Sequence, residues 1–109
     1  MQVEKLDKMI KGWFVGNFEP SLHKTNDVEV AVKKYEPNEA EEAHYHKLAT
    51  EITVIVSGEV EINGKRYSEG DMIVAKPYEV MSFKPLTKVT TTVVKIPGAN
   101  DDKYLEGEE

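Results

Sequence analysis

Apolar residues in this chain recur at every second position over short stretches, and turn-forming residues interrupt them roughly every ten residues. Val28, Val30 and Val32 share one face of an extended segment over residues 28–35, which Pro37 closes. Residues 52–56 form an unbroken β-branched run, the composition of a strand buried on both faces, and Ser57-Gly58 ends it with a turn. Glu59-Val60-Glu61-Ile62 then alternates. Asn63-Gly64 tolerates the two positive φ angles of a type I′ hairpin, so Lys65-Arg66-Tyr67 reads as the return strand.

Further strands are predicted over residues 12–16 around Trp13, Phe14 and Val15, over 44–46, over 72–75 after the Glu69-Gly70-Asp71 turn, over 80–83 after Pro77, and over 89–96. One segment, 38–47, also fits a helix, because Asn38 and Glu41 could form a capping box; it is short, and Pro37 precedes it. About eight or nine short strands in so small a chain predict an all-β fold, closed into an antiparallel β-barrel or a double-sheet jelly roll that leaves no exposed edge.

The 109 residues suit a single domain, with its core over about 28–96 and an acidic tail over 98–109 expected to be poorly ordered from Asp101 onward. Composition is that of a globular protein, 39% hydrophobic and 31% charged, and no apolar run approaches the length of a membrane span. Residues 1–11 mix Glu4, Lys5, Asp7, Lys8 and Lys11 among apolar neighbours and so lack a secretory core; a cytoplasmic location is the expectation. A net charge of -6 and a single arginine, Arg66, argue against a nucleic-acid surface. With no cysteine, any chemistry must use oxygen and nitrogen groups. Scattered glycines give no phosphate loop, and no Gly-x-Ser-x-Gly elbow occurs.

Candidate chemistry concentrates in His44-Tyr45-His46, with Glu51 five residues beyond His46 and Gly58 twelve beyond it. Residues two apart on a strand share a face, so both imidazoles can converge on one point, to which the next strand can bring a carboxylate. Two imidazoles and a carboxylate form a metal site with open positions.

This spacing, His-x-His, four residues, Glu, six residues, Gly, resembles the first motif of the cupin superfamily. The resemblance covers approximately residues 28–95 and extends to Val56-Ser57-Gly58-Glu59-Val60, to Gly70-Asp71, and to the turn proline Pro77 and the final aromatic Phe83 of the second motif. Met81 falls where the family places a third histidine, and Tyr78 where it places a glycine. The resemblance implies a cupin-type barrel, or double-stranded β-helix, in which His44, His46 and Glu51 hold a divalent ion such as Mn, Fe, Ni or Zn. It also implies a homodimer, and a small polar metabolite or sugar in the barrel cavity, acted on by a metal-dependent enzyme. The alternatives are a non-catalytic carbohydrate-binding cupin and a dimeric interaction module with a degenerate metal site.

Other residues are weaker candidates. His23 lies in a polar segment without a partner at ligand spacing and reads as exposed. Trp13, Phe14 and Phe18 read as a barrel plug or dimer interface, with stacking on a sugar ring as the functional alternative. Met72 reads as a flexible core filler. Lys76, Tyr78 and Glu79 read as turn residues, placed where they could also supply a proton or hydrogen bond.

Overall fold

The computed structural model describes residues 1–107. After a 3-10 turn at Leu6–Lys8, the chain forms β1 (Trp13–Val15), β2 (Glu29–Tyr35), β3 (Glu41–Tyr45), β4 (Thr50–Ser57) and β5 (Glu59–Ile62). It continues through β6 (Lys65–Ser68), β7 (Met72–Ala75), β8 (Met81–Pro85), β9 (Val89–Ile96) and β10 (Tyr104–Leu105). The strands divide into two five-stranded antiparallel sheets, ordered β1-β2-β9-β4-β7 and β10-β3-β8-β5-β6, which face each other as a double-stranded β-helix. The segment that also fitted a helix is strand β3. Among the described residues no helix is long and apolar enough to cross a membrane.

Local turn chemistry sets much of this path. Asn63 and Gly64 adopt φ values of 50° and 80°, the left-handed pair that joins β5 to β6 in register, with Ile62 opposite Lys65. Gly58 turns the chain between β4 and β5 at φ 93°, where a Cβ would lie 2.2 Å from the Lys88 carbonyl oxygen, so no other residue fits.

One end of the space between the sheets is closed by an apolar floor of Ile55, Val60, Ile62, Met81, Phe83 and Val89, with Tyr35, Tyr67, Ile73 and Ala75 packed against it. Burying each large side chain there stabilises the fold by roughly 1.5–3 kcal/mol. The other end is polar, and this reverses the usual pattern. In β2 the buried or half-buried inward positions are Glu29, Ala31, Lys33 and Tyr35, while Val30 and Val32 lie on the opposite, outer face. In β9 they are Val89, Thr91, Val93 and Lys95.

Two expectations are corrected. The run over residues 52–56 is not buried on both faces: Glu51, Thr53 and Ile55 are buried against the second sheet, whereas Ile52 and Val54 are half-buried and Val56 is exposed, because among the described residues no layer covers the outer face of the first sheet. The acidic tail is not frayed from Asp101 onward: Asp102 is 2% exposed, and Tyr104 and Leu105 pair with Tyr45 and His44 as an added edge strand. Glu108 and Glu109 lie outside the described residues.

Candidate metal centre

His44 sits near the end of β3, His46 just beyond it, and Glu51 is the second residue of β4. A turn over residues 47–49 joins the strands, so three donors from one short stretch meet inside the barrel. His44 is 4% exposed, His46 5% and Glu51 8%. Their ligand atoms all lie within 4.8 Å of one another, and His46 Nε2 stands 3.6 Å from Glu51 Oε2.

The donor set fits a divalent ion. Imidazole nitrogens and carboxylate oxygens bind one at about 2.0–2.2 Å, which sets such donors at most about 4.4 Å apart, so a few tenths of an ångström of side-chain movement closes the site. The two rings stand edge to face with centroids 5.4 Å apart. His44 Nδ1 lies 3.1 Å from the Glu42 carbonyl oxygen. A carbonyl only accepts, so Nδ1 carries the proton and Nε2 keeps its lone pair for a ligand role.

Electrostatics favour the same use. Burial, followed by the charges of Lys95 and His44, pushes His46 down to about 4, so its imidazole is neutral near pH 7. Burial raises Glu51, while His44 and Lys95 partly oppose that rise. A buried carboxyl of this kind gains most from a cation beside it.

The turn carrying these donors is held from a distance. Asp102 Oδ1 accepts from Lys47 N at 2.9 Å, and Oδ2 accepts from Leu48 N at 3.0 Å and Ala49 N at 2.8 Å. Three consecutive amides between His46 and Glu51 thus converge on one buried carboxylate. These hydrogen bonds outweigh its burial and hold Asp102 below the ordinary aspartate range. Tyr78 braces the other side, its N–H donating to the His46 carbonyl at 2.6 Å. Its φ of 71° is the left-handed value of the glycine that the resemblance places there.

The donors open onto a cavity of about 630 Å³. Met81, directly opposite His44 on β8, lines it, as the resemblance implies for the third-ligand position. Lys95 pairs with Glu29 at 3.0 Å, both side chains buried. Register explains the pairing: Glu29, Lys95 and Glu51 are neighbours across β2, β9 and β4, so the lysine lies between two carboxylates. Tyr35 donates to Glu41 Oε1 at 2.6 Å, and burial, followed by the charge and hydrogen bond of Glu41, drives the phenol well above its usual range.

Several sequence candidates fall elsewhere. His23 is exposed and does not line the cavity. Lys76, Tyr78 and Glu79 are exposed turn residues outside the cavity wall, with Glu79 accepting from Lys76 N at 2.8 Å. Met72 is 71% exposed on the outer face and fills no core. Trp13 and Phe18 line the cavity instead of plugging the barrel, and Lys33 and Lys95 hold their ammonium groups 5.1 and 5.6 Å from the Trp13 ring centroid. Sequence reading missed Glu29, Lys33, Thr91, Lys95 and Asp102. For Glu29 and Lys33 a signal exists: they alternate along β2 with Val30 and Val32, which take the other face, whereas Thr91 and Lys95 share their face of β9 with Val89 and Val93 and stand out by no such pattern.

No family model matches the chain, and no curated protein matches it with significance. Solved structures do. A conserved protein with a double-stranded β-helix domain from Klebsiella pneumoniae superposes with a TM-score of 0.71 at 22% identity, over 99% of this chain and 99% of that one. KdgF from a Halomonas species gives 0.64 at 24% identity, over 71% and 74%. The DMSP lyase DddQ from Ruegeria pomeroyi gives 0.72 at 19% identity, over 88% of this chain and 52% of that one. The chain has the cupin fold, the double-stranded β-helix.

Proposed function

We propose that this protein is a metal-dependent enzyme acting on a small polar metabolite, with a divalent ion of the Mn, Fe, Ni or Zn type held by His44, His46 and Glu51. The observation that carries the reading is the convergence of these three buried donors, within 4.8 Å, on the wall of a cavity large enough for such a metabolite. A bound ion supplies a Lewis acid that polarises a substrate oxygen. The chain's own groups do the rest. Glu42 orients His44, Asp102 fixes the turn between His46 and Glu51, and the Tyr35 hydroxyl and Glu41 carboxylate offer a hydrogen-bonded pair in the cavity wall. One structural neighbour is a lyase, which accords with an enzyme on this fold.

A second reading, a non-catalytic binding module, draws on Met81, since a thioether is a poor ligand for these ions. The proposal includes a homodimer. Val30, Val94, Ile52 and Val74 form one continuous apolar row on the outer face of the first sheet, and Val74 is 51% exposed; a second copy of the chain would cover it.

Elemental analysis of untagged protein purified without chelator tests the site. Stoichiometric metal in the parent, lost in His44→Ala and Glu51→Ala, is the expected result. A parent free of metal that also takes up none on titration with Mn²⁺ or Zn²⁺ would overturn it.

A further inference from the structure

The cavity carries a second cluster of charge that the metal donors do not use. Lys11, Lys33, Lys95 and Lys103 line it, with Glu19, Glu29, Glu41 and Glu51 as the only acids among the described residues. Three of those acids are engaged elsewhere. Glu29 is paired with Lys95, Glu51 belongs to the metal donors, and Glu19 forms an ion pair with Lys24, which does not line the cavity. Glu41 alone remains for Lys11, Lys33 and Lys103. Its Oε1 already takes the Tyr35 hydroxyl at 2.6 Å, and Lys33 Nζ stands 3.9 Å away, beyond hydrogen-bond distance.

An independent observation lies beside Lys33. Thr91 is its cross-strand neighbour on β9, 1% exposed and facing the cavity, and its hydroxyl has no hydrogen-bond partner among the described residues. A buried hydroxyl left unpaired costs about 1–3 kcal/mol. Mutually repelling ammonium groups add to that cost, and burial together with Lys103 and Lys11 lowers Lys33 against the pull of Glu41 and Glu51. Both costs are relieved by one kind of occupant, an oxygen-rich anion that accepts hydrogen bonds from Lys33 and Thr91.

We propose that this part of the cavity binds the oxyanion head group, carboxylate or phosphate, of a small organic acid, with Lys33 and Thr91 as its inner contacts and Lys11 and Lys103 at the rim. The inference deepens the functional reading by naming the substrate class for the same cavity. The head group is anchored by lysines in the part of the wall distinct from the metal donors, which leaves the remainder of the molecule to reach them. Trp13, with Lys33 and Lys95 near its ring, stands in the wall beside the head group.

Trp13 is the only tryptophan, so its fluorescence reports on this region. Metal-free protein is titrated with butyrate, with glycerol 3-phosphate and with uncharged butane-1,4-diol, and binding is checked by calorimetry. Saturable binding of butyrate, of glycerol 3-phosphate or of both is expected, and the responding arm identifies the head group. Butane-1,4-diol should give no response. Lys33→Met should weaken binding about tenfold or more, and Thr91→Val about three- to tenfold, as expected for hydrogen bonds to a charged group. Lys33→Arg, which keeps the charge, should retain most of the affinity and shows that the site stays folded. Failure of both anions to bind the parent, binding of the diol as tight as that of the acids, or unchanged affinity in both Lys33→Met and Thr91→Val would overturn the inference. Because the titration is made without metal, anion binding by a protein that takes up no ion removes only the metal reading. Ion uptake without anion binding removes only this one.

Discussion

The first sheet turns two unlike surfaces outward and inward from neighbouring residues. On its inner face Glu29, Lys95 and Glu51 lie side by side, all at least nine-tenths buried. One residue along each strand, the outer face carries Val30, Val94, Ile52 and Val74. A sheet covering an ordinary core has the opposite polarity, apolar side in and polar side out. The inversion separates two jobs. Charged groups inside cost stability, which accords with the binding cavity proposed above, and valines outside accord with the proposed subunit contact. Further along the inner face, at Ile55 and Val89, the ordinary polarity returns, and the fold is anchored there.

The largest expected effect comes from that anchored part. Ile55 is fully buried, so Ile55→Ala should destabilise the protein by about 2–5 kcal/mol in denaturant unfolding. A loss no greater than that of an exposed substitution would break the contrast between floor and site.

Asp102 is next. Asp102→Asn removes a charged acceptor from three backbone amides and should cost about 1–3 kcal/mol, along with about tenfold or more in affinity for Mn²⁺ or Zn²⁺. The pH dependence has a definite sign. The folded-state pKa lies below the unfolded value of about 3.9, so the carboxylate's contribution is fully present above that pH and fades as pH falls through the folded value. The stability gap between parent and Asp102→Asn should therefore be constant near neutrality and shrink in acid. A gap that widens on acidification would exclude the backbone clamp as its source.

Much of the architecture was legible in the sequence because its signals are local. Alternation and turn residues placed β4 through β9 within a residue or two, and the Asn63-Gly64 hairpin behaves as its φ preferences dictate. The His44, His46 and Glu51 cluster was legible for the same reason, since its three donors lie on one β-turn-β stretch. Glu29 and Lys95 were not: their meeting depends on the register of strands far apart in the chain, and each alone reads as a solvated charge. Asp102 was hidden in an acidic stretch that composition assigns to a frayed end, and only the amides of residues 47–49 give it a partner. Trp13 read as a barrel plug or dimer contact because apolar aromatics usually fill cores and interfaces; here it lines the cavity with the lysines beside its ring.

Two smaller effects sharpen the comparison of faces. Met81→His places a fourth donor opposite His44 and should tighten metal binding about tenfold, a gain of about 1.4 kcal/mol. Isothermal titration giving an unchanged affinity would argue that residue 81 does not face the ion. On the outer face, Val74→Lys should change monomer stability by no more than about 0.5 kcal/mol, yet light scattering should show a dimeric parent become monomeric. A variant that remains dimeric would place the subunit contact elsewhere.

The Asp102 clamp ties the carboxyl-terminal segment to the chemistry. Residues 47–49 are gripped by that carboxylate and flanked by two of the three donors, so whatever stiffens the donors also stiffens the grip, and the coupling is equal in both directions. Trypsin should consequently cut the bare protein at the exposed Lys103, next to the clamp, sooner than the loaded one, which turns digestion rate into a gauge of occupancy that needs no substrate.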